Sequence, residues 1–320
     1  MNSTTVSKSI ISLAQAYEGG LPYLTVKLNA DAVGAFSVEK TFDCGQSFRF
    51  DPVPGTRHEA EYAGIAFGRL VSFAQDGEYI FIYNSTEQEF FDIWYPYLGL
   101  DMNYNKIRCD IASRSDKAVT VKALECGDGI RILSQDEWET LCSFIISQNN
   151  NIPRIKQLVS AISQRLGSPI DTSSMSEHLS ALIKANGAYS FPTPSAVVEG
   201  GTELLRELKT GFRAGYIYDA ASRVSCGSLE LDGVRREPSL ERAAAMLTVV
   251  KGVGPKVAAC SLLFGFRRYD AFPVDVWIRR VMQKYFPDDF TPDTLGDFAG
   301  IAQQYLFYYE RYLLSEANNN

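Results

Sequence analysis

The stretch Leu247-Thr248-Val249-Val250-Lys251-Gly252-Val253-Gly254-Pro255-Lys256-Val257-Ala258-Ala259-Cys260 leaves the chain few choices of fold. An apolar helical run ends at Lys251 and two glycines turn the backbone. Pro255 then opens a second helix, where its fixed φ fits and its missing N–H is not needed. Gly252 and Gly254 allow conformations closed to other residues and let the backbone approach a partner closely. The turn aims its amides where the second helix begins, and a helix N-terminus favours anions. Lys256 sits at that positive end, which disfavours an ammonium and favours a nucleophilic amine. From the residues alone, the commoner role for a lysine there is contact with a phosphate.

A second candidate lies in Phe272-Pro273-Val274-Asp275-Val276-Trp277-Ile278-Arg279-Arg280. Pro273 stops a helix and Asp275 can cap the next one, its charge favoured by the helix dipole. Taken alone, Asp275 reads as a cap. A hairpin lysine and a capping aspartate separated by one helix and a turn can, however, face one cleft. Cys260, four residues after Lys256, shares that face of the second helix.

Helical period governs the chain from about residue 118. Ser134-Gln135-Asp136-Glu137 reads as a capping box before a helix to about Ser147. Pro153 suits a first helical position, and Ile155, Leu158, Val159, Ile162 and Leu166 line one face. Ser174-Met175-Ser176-Glu177 reads as a second box, with Gly187 closing that helix. Further helices are expected at about 202–209, 213–226, 239–250, 256–266, 276–285 and 294–314. Residues 21–117 differ: Leu21–Leu28, Thr41–Phe50 and Glu78–Tyr83 are short, β-branched or aromatic, and punctuated by turn formers. The expected fold is α+β: an N-terminal antiparallel sheet domain (21–117) packed on a larger all-α region (118–314). An N-terminal segment (1–20) and a frayed polar tail (315–320) flank them.

Composition narrows the function. Hydrophobic residues make up 46% and charged residues 22%, as in a globular chain with a sizeable core. No apolar run nears the roughly 20 residues of a membrane span, and Ile10-Ile11-Ser12-Leu13-Ala14 is too short for a signal core of about 7–15. An intracellular monomer without a membrane partner is expected. The six cysteines have no C-x-x-C spacing and the two histidines are too few for a histidine metal site, so no metal is expected. The net charge of −7 conceals a segment, 242–285, with eight basic groups and two acidic ones. Such a patch suits either a polyanion or plain solvation.

Further blocks join the hairpin: Cys44-Gly45-Gln46-Ser47-Phe48-Arg49-Phe50, Ser147-Gln148-Asn149-Asn150-Asn151-Ile152-Pro153-Arg154-Ile155, Gly211-Phe212-Arg213-Ala214 and Ala299-Gly300-Ile301-Ala302-Gln303-Gln304-Tyr305-Leu306-Phe307. Together with the Lys256–Asp275 pair, the chain closely resembles the 8-oxoguanine DNA glycosylases of the helix-hairpin-helix superfamily, over about residues 40–310.

The resemblance implies a bifunctional glycosylase and abasic-site lyase acting on double-stranded DNA with 8-oxoguanine opposite cytosine. It would reside with the DNA, in cytoplasm or nucleoid, or in a nucleus. Lys256 would attack the sugar and Asp275 would stabilise the developing positive charge. The flipped base would meet the carbonyl of Gly45, its edge Gln303, and its faces Phe307 and Cys260. Opposite it, Asn149 would fill the gap, Arg154 and Arg213 would bond the estranged cytosine, and Phe212 would wedge into the stack. Gly252, Gly254 and Lys251 would hold DNA phosphate. No cofactor is implied, though a monovalent cation at the hairpin fits. Two positions depart from the pattern: Trp277 stands where the family often has His, and Phe212 where it has Tyr. Two readings compete. A glycosylase for another damaged base would lack the lysine or carry a four-cysteine cluster, and a non-enzymatic DNA-binding module would need neither the pair nor the pocket.

Overall fold

The computed structural model describes residues 8–115, 117–172 and 187–319, with side chains through Tyr312. Six antiparallel strands form one sheet: β1 (Ile10–Glu18), β2 (Leu21–Leu28), β3 (Phe50–Pro52), β4 (Ala60–Ala66), β5 (Arg69–Asp76) and β6 (Tyr79–Tyr83), in the order β1-β2-β6-β5-β4-β3. In β2, Leu24, Val26 and Leu28 alternate inward, which fixes the face presented to the core.

Three expectations for this half change. Thr41–Phe50 is not a strand. Val38–Asp43 forms helix α1, capped by Ser37, and Val38, Thr41 and Phe42 bury at helical spacing. A loop follows, with Gly45 at φ +81. The segment set apart at 1–20 contains the edge strand β1, whose mostly exposed residues leave no alternating pattern to read. Before residue 117 the sheet has also given way to helix α2 (Tyr104–Arg114).

The helical half comprises α3 (Ala118–Cys126), α4 (Glu137–Ser147), α5 (Ile152–Leu166), α6 (Pro194–Glu207), α7 (Arg213–Ser225), α8 (Leu231–Arg236), α9 (Leu240–Thr248), α10 (Pro255–Gly265), α11 (Val276–Tyr285) and α12 (Ala299–Asn319). The cap of α4 is Asp136, which accepts from Glu139 N, rather than Ser134. Asn151 caps α5, making Pro153 its second residue. Helix α6 starts eight residues before expected, at the Thr193 cap; Gly201 at φ +73 kinks it and hides the first half from the pattern. Helix α12 continues past 314, since no glycine or proline stops it. The expected box at Ser174–Glu177 lies outside the described residues.

Arg131, fully buried, joins the halves. It donates to the carbonyls of Val33, Gly34, Ala35, Gly99 and Met102 at 2.7–3.4 Å and stacks on Tyr104 at 4.3 Å. Gln46 is the second joint: its amide donates to Thr41 O and Arg131 O and accepts from Leu133 N.

Candidate active site

The hairpin forms as expected. Val250 and Val253 bury beneath it, and Gly252, at φ +79, turns the chain. A side chain at 252 would be strained for a second reason: a Cβ would lie 2.2 Å from the ring of Tyr216, which would have to move. The Lys251 amide donates to Asp219 at 2.8 Å, so α7 supports the turn by a ring and a carboxylate. Burial opposes ionisation of Asp219, but the Lys251 amide and Arg223 together hold its carboxyl below the ordinary range.

Lys256, half-buried in the first turn of α10, donates from Nζ to Ser147 Oγ at 3.1 Å, and the ring of Phe144 lies 5.3 Å away. Ser147 ends α4, just before the Asn149 loop. Asp275 caps α11, accepting from Ile278 N at 2.8 Å. Burial pushes the Cys260 thiol up to about 11, while Lys256 pulls it down and Asp275 pushes it up. Lysine, thiol and carboxylate therefore share one neighbourhood. Such a thiol stays protonated near neutrality, a poor state for a nucleophile.

The loop after α1 lies against α12. A Cβ on Gly45 would meet Ile152 Cδ1 at 3.3 Å and Phe307 Cε1 at 3.6 Å, and Gln304 donates to Cys44 O at 2.8 Å. Gln303, one turn before Phe307, is 5% exposed, and its buried Oε1 has no hydrogen-bond partner among the described residues. A buried acceptor left open is suited to a ligand donor. Gly300 donates to Tyr269 O at 2.7 Å and leaves no room for a Cβ beside Ala271 O, which locks α12 onto the segment leading to Asp275.

The third group surrounds Asn149, an exposed residue at φ +47. Arg213 is buried and donates to the carbonyls of Gln148, Asn149 and Thr210. Burial, then neighbouring Arg154, lowers its pKa. In this arrangement Arg213 braces the loop. Arg154 keeps the weaker engagement, at 3.2 Å to Gln157 and 3.3 Å to Lys209 O. Phe212 is 56% exposed. The basic segment is partly structural, since Arg242, Arg267 and Arg268 pair with Glu237, Asp101 and Asp270. Sequence reading assigned no role to Ser147, Phe144, Tyr216 or Asp219; each acts through a contact distant in sequence that leaves no local signal.

A lysine and a capping aspartate at a helix-hairpin-helix, with a buried open acceptor on α12, are the marks of a DNA glycosylase of the helix-hairpin-helix class. Comparison narrows the class. Residues 27–141 match the family model described as 8-oxoguanine DNA glycosylase, N-terminal domain. An N-glycosylase/DNA lyase from Saccharomyces cerevisiae is 33% identical over 198 residues, 59% of this chain; the match spans about half of the yeast protein, 49%. The corresponding Arabidopsis thaliana protein is 28% identical over 84% of this chain and 76% of its own length. The crystal structure of Clostridium acetobutylicum 8-oxoguanine glycosylase/lyase, solved with double-stranded DNA containing cytosine opposite 8-oxoguanine, superposes with a TM-score of 0.81 at 32% identity. It covers 96% of this chain and 99% of that one. The chain belongs to the 8-oxoguanine DNA glycosylase family.

Proposed function

We propose that this protein excises 8-oxoguanine opposite cytosine from double-stranded DNA and then cleaves the strand, in base-excision repair, using Lys256 as nucleophile. The observation that carries the residue assignment is the shared neighbourhood of Lys256, Cys260 and Asp275, with Nζ held at Ser147 Oγ.

The lesion base must leave the stack to be reached. The amine of Lys256 attacks C1′, the C1′–N9 bond breaks, and its electron pair departs with the base, which takes up the proton that the amine loses. Opening of the sugar gives an imine between Nζ and C1′. Loss of a C2′ proton then expels the 3′ phosphate by β-elimination. The Asp275 carboxylate, fixed by its cap bond, faces the positive charge that develops on the sugar. Gln303 Oε1 accepts from the base edge, the Gly45 carbonyl accepts the N7–H that guanine lacks, and Phe307 and Cys260 close on its faces. A normal guanine leaves the Gly45 acceptor unpaired, which is a physical basis for rejecting it. Asn149 fills the gap, Phe212 wedges beside the cytosine, and Arg154 with Arg213 contacts it. Gly252, Gly254 and Lys251 hold phosphate, and a monovalent cation at the hairpin would strengthen that grip. The reaction uses the chain's own groups and no cofactor, in a monomer acting where the cell keeps its DNA. Among the described residues no helix is long and apolar enough to cross a membrane.

Borohydride trapping on a labelled duplex with one 8-oxoguanine opposite cytosine tests this. Wild type should form a covalent adduct on the lesion duplex alone, and Lys256→Gln should form none. Base release without an adduct would overturn the lysine mechanism; neither would overturn the substrate.

A further inference from the structure

The wedge and the phosphate-binding hairpin are joined by one side chain. Phe212, more than half exposed, packs edge-on against Tyr216 with centroids 5.7 Å apart and planes at 70°. The Tyr216 ring also lies on the backbone of Gly252, so closely that a Cβ there would stand 2.2 Å from a ring carbon. The Arg213 guanidinium also stacks on Phe212, at 4.5 Å, and reaches the carbonyls of Gln148 and Asn149. A continuous run of contacts thus leads from the hairpin through Tyr216, Phe212 and Arg213 to the Asn149 loop. Each step is a packed ring or a hydrogen-bonded guanidinium, with no flexible linker between.

We propose that Tyr216 is a positioning residue that couples phosphate capture at the hairpin to insertion of Phe212 and Asn149 into the duplex; this rests on the roles assigned above to Phe212 and the hairpin. Phe212 projects from the start of α7 with more than half its surface open, and the Tyr216 ring and the Arg213 guanidinium pack against it. Tyr216 is also the ring on which Gly252 rests. A phosphate that draws the hairpin inward therefore moves the base on which the wedge stands. Asp219, one turn further along α7, keeps the hairpin attached to the same helix when the ring is removed, so phosphate binding itself survives the loss of Tyr216.

The test is a double-mutant cycle, since spatial continuity alone does not establish coupling. Phe212→Ala, Tyr216→Ala and the double variant are compared by two readouts. One is unstacking of a 2-aminopurine placed beside the cytosine opposite 8-oxoguanine; the other is single-turnover base release. Each single variant should lose about tenfold in unstacking, and the double should lose no more than either, a coupling of about tenfold. Tyr216→Phe, which keeps the ring, should stay within about twofold of wild type. The salt dependence of binding to undamaged duplex should not change in Tyr216→Ala, because no phosphate contact is lost. Losses that multiply in the double variant, or a Tyr216→Phe as damaging as Tyr216→Ala, would overturn the proposal. If Tyr216→Ala does not fold, Tyr216→Leu enters the same cycle. A wild type that unstacks the reporter but releases no base would overturn the excision reading and leave the coupling tested by fluorescence.

Discussion

Ordinary mutagenesis would confuse the catalytic role proposed for Asp275 with its role as a helix cap, and two substitutions separate them. Asparagine caps a helix about as well as aspartate but carries no charge, whereas alanine does neither. Asp275→Asn should melt within about 1 °C of wild type yet lose roughly 10²- to 10³-fold in single-turnover excision. Asp275→Ala should lose the same rate and, in addition, about 1 kcal/mol of stability. Equal stability losses with little loss of rate would reduce Asp275 to a cap. Gly45 invites a similar separation. At φ +81 an alanine costs about 1–2 kcal/mol. Its Cβ would also stand 3.3 Å from Ile152, on the side facing Phe307. Gly45→Ala should therefore raise KM for the lesion duplex while affinity for undamaged duplex stays within about twofold, measured by steady-state excision and anisotropy.

At the scale of elements, legibility tracked how local each signal is. Helix α11 was readable to the residue because Pro273 and Asp275 mark its start and an amphipathic run fills it. The hairpin was readable because two glycines and a proline sit in consecutive positions. Thr41–Phe50 misled because its β-rich composition belongs to two structures, the end of a short helix and a loop. That loop's hydrogen bonds run to Arg131, Leu133 and Gln135, far along the chain. The pocket residues were named from a family resemblance; the contacts supporting them, Tyr216 on Gly252 and Ser147 on Lys256, are long-range and could not be named. Helix α4 hides a further consequence. Its Glu139, paired with Arg49 at 3.5 Å, has its carboxyl pushed up by burial to about 7. A carboxyl whose folded value lies above its unfolded one stabilises fully below about pH 4.5 and loses that contribution as pH rises through about 7. Between those limits Glu139 should take up to about 1.4 kcal/mol of stability per pH unit. Denaturant melts across pH 4.5–7.5 should show a shallower decline in Glu139→Gln than in wild type; identical slopes would assign the carboxyl an ordinary value.

For the whole molecule, the site depends on how sheet and helices are fastened, because Gly45 comes from one half and Lys256 from the other. Arg131 is the fastening. It is a buried cation hydrogen-bonded to five carbonyls, and burial pulls its guanidinium below the ordinary value. Those carbonyls belong to the connectors leaving β2 and leading into α2, so truncation leaves several buried acceptors open at once. Its own backbone carbonyl holds the Gln46 amide, one residue from Gly45. Arg131→Met fills much of the volume but supplies no donors. It should cost about 4 kcal/mol and lower Tm by roughly 6 °C for a chain of this length. The same variant, assayed well below its Tm, should also discriminate less between 8-oxoguanine and guanine, because a loosened Gln46 frees the Gly45 carbonyl to move. A lower Tm with undiminished discrimination would mean that the bonds of Leu133 and Gln135 to Gln46 and of Gln304 to Cys44 hold the loop without Arg131.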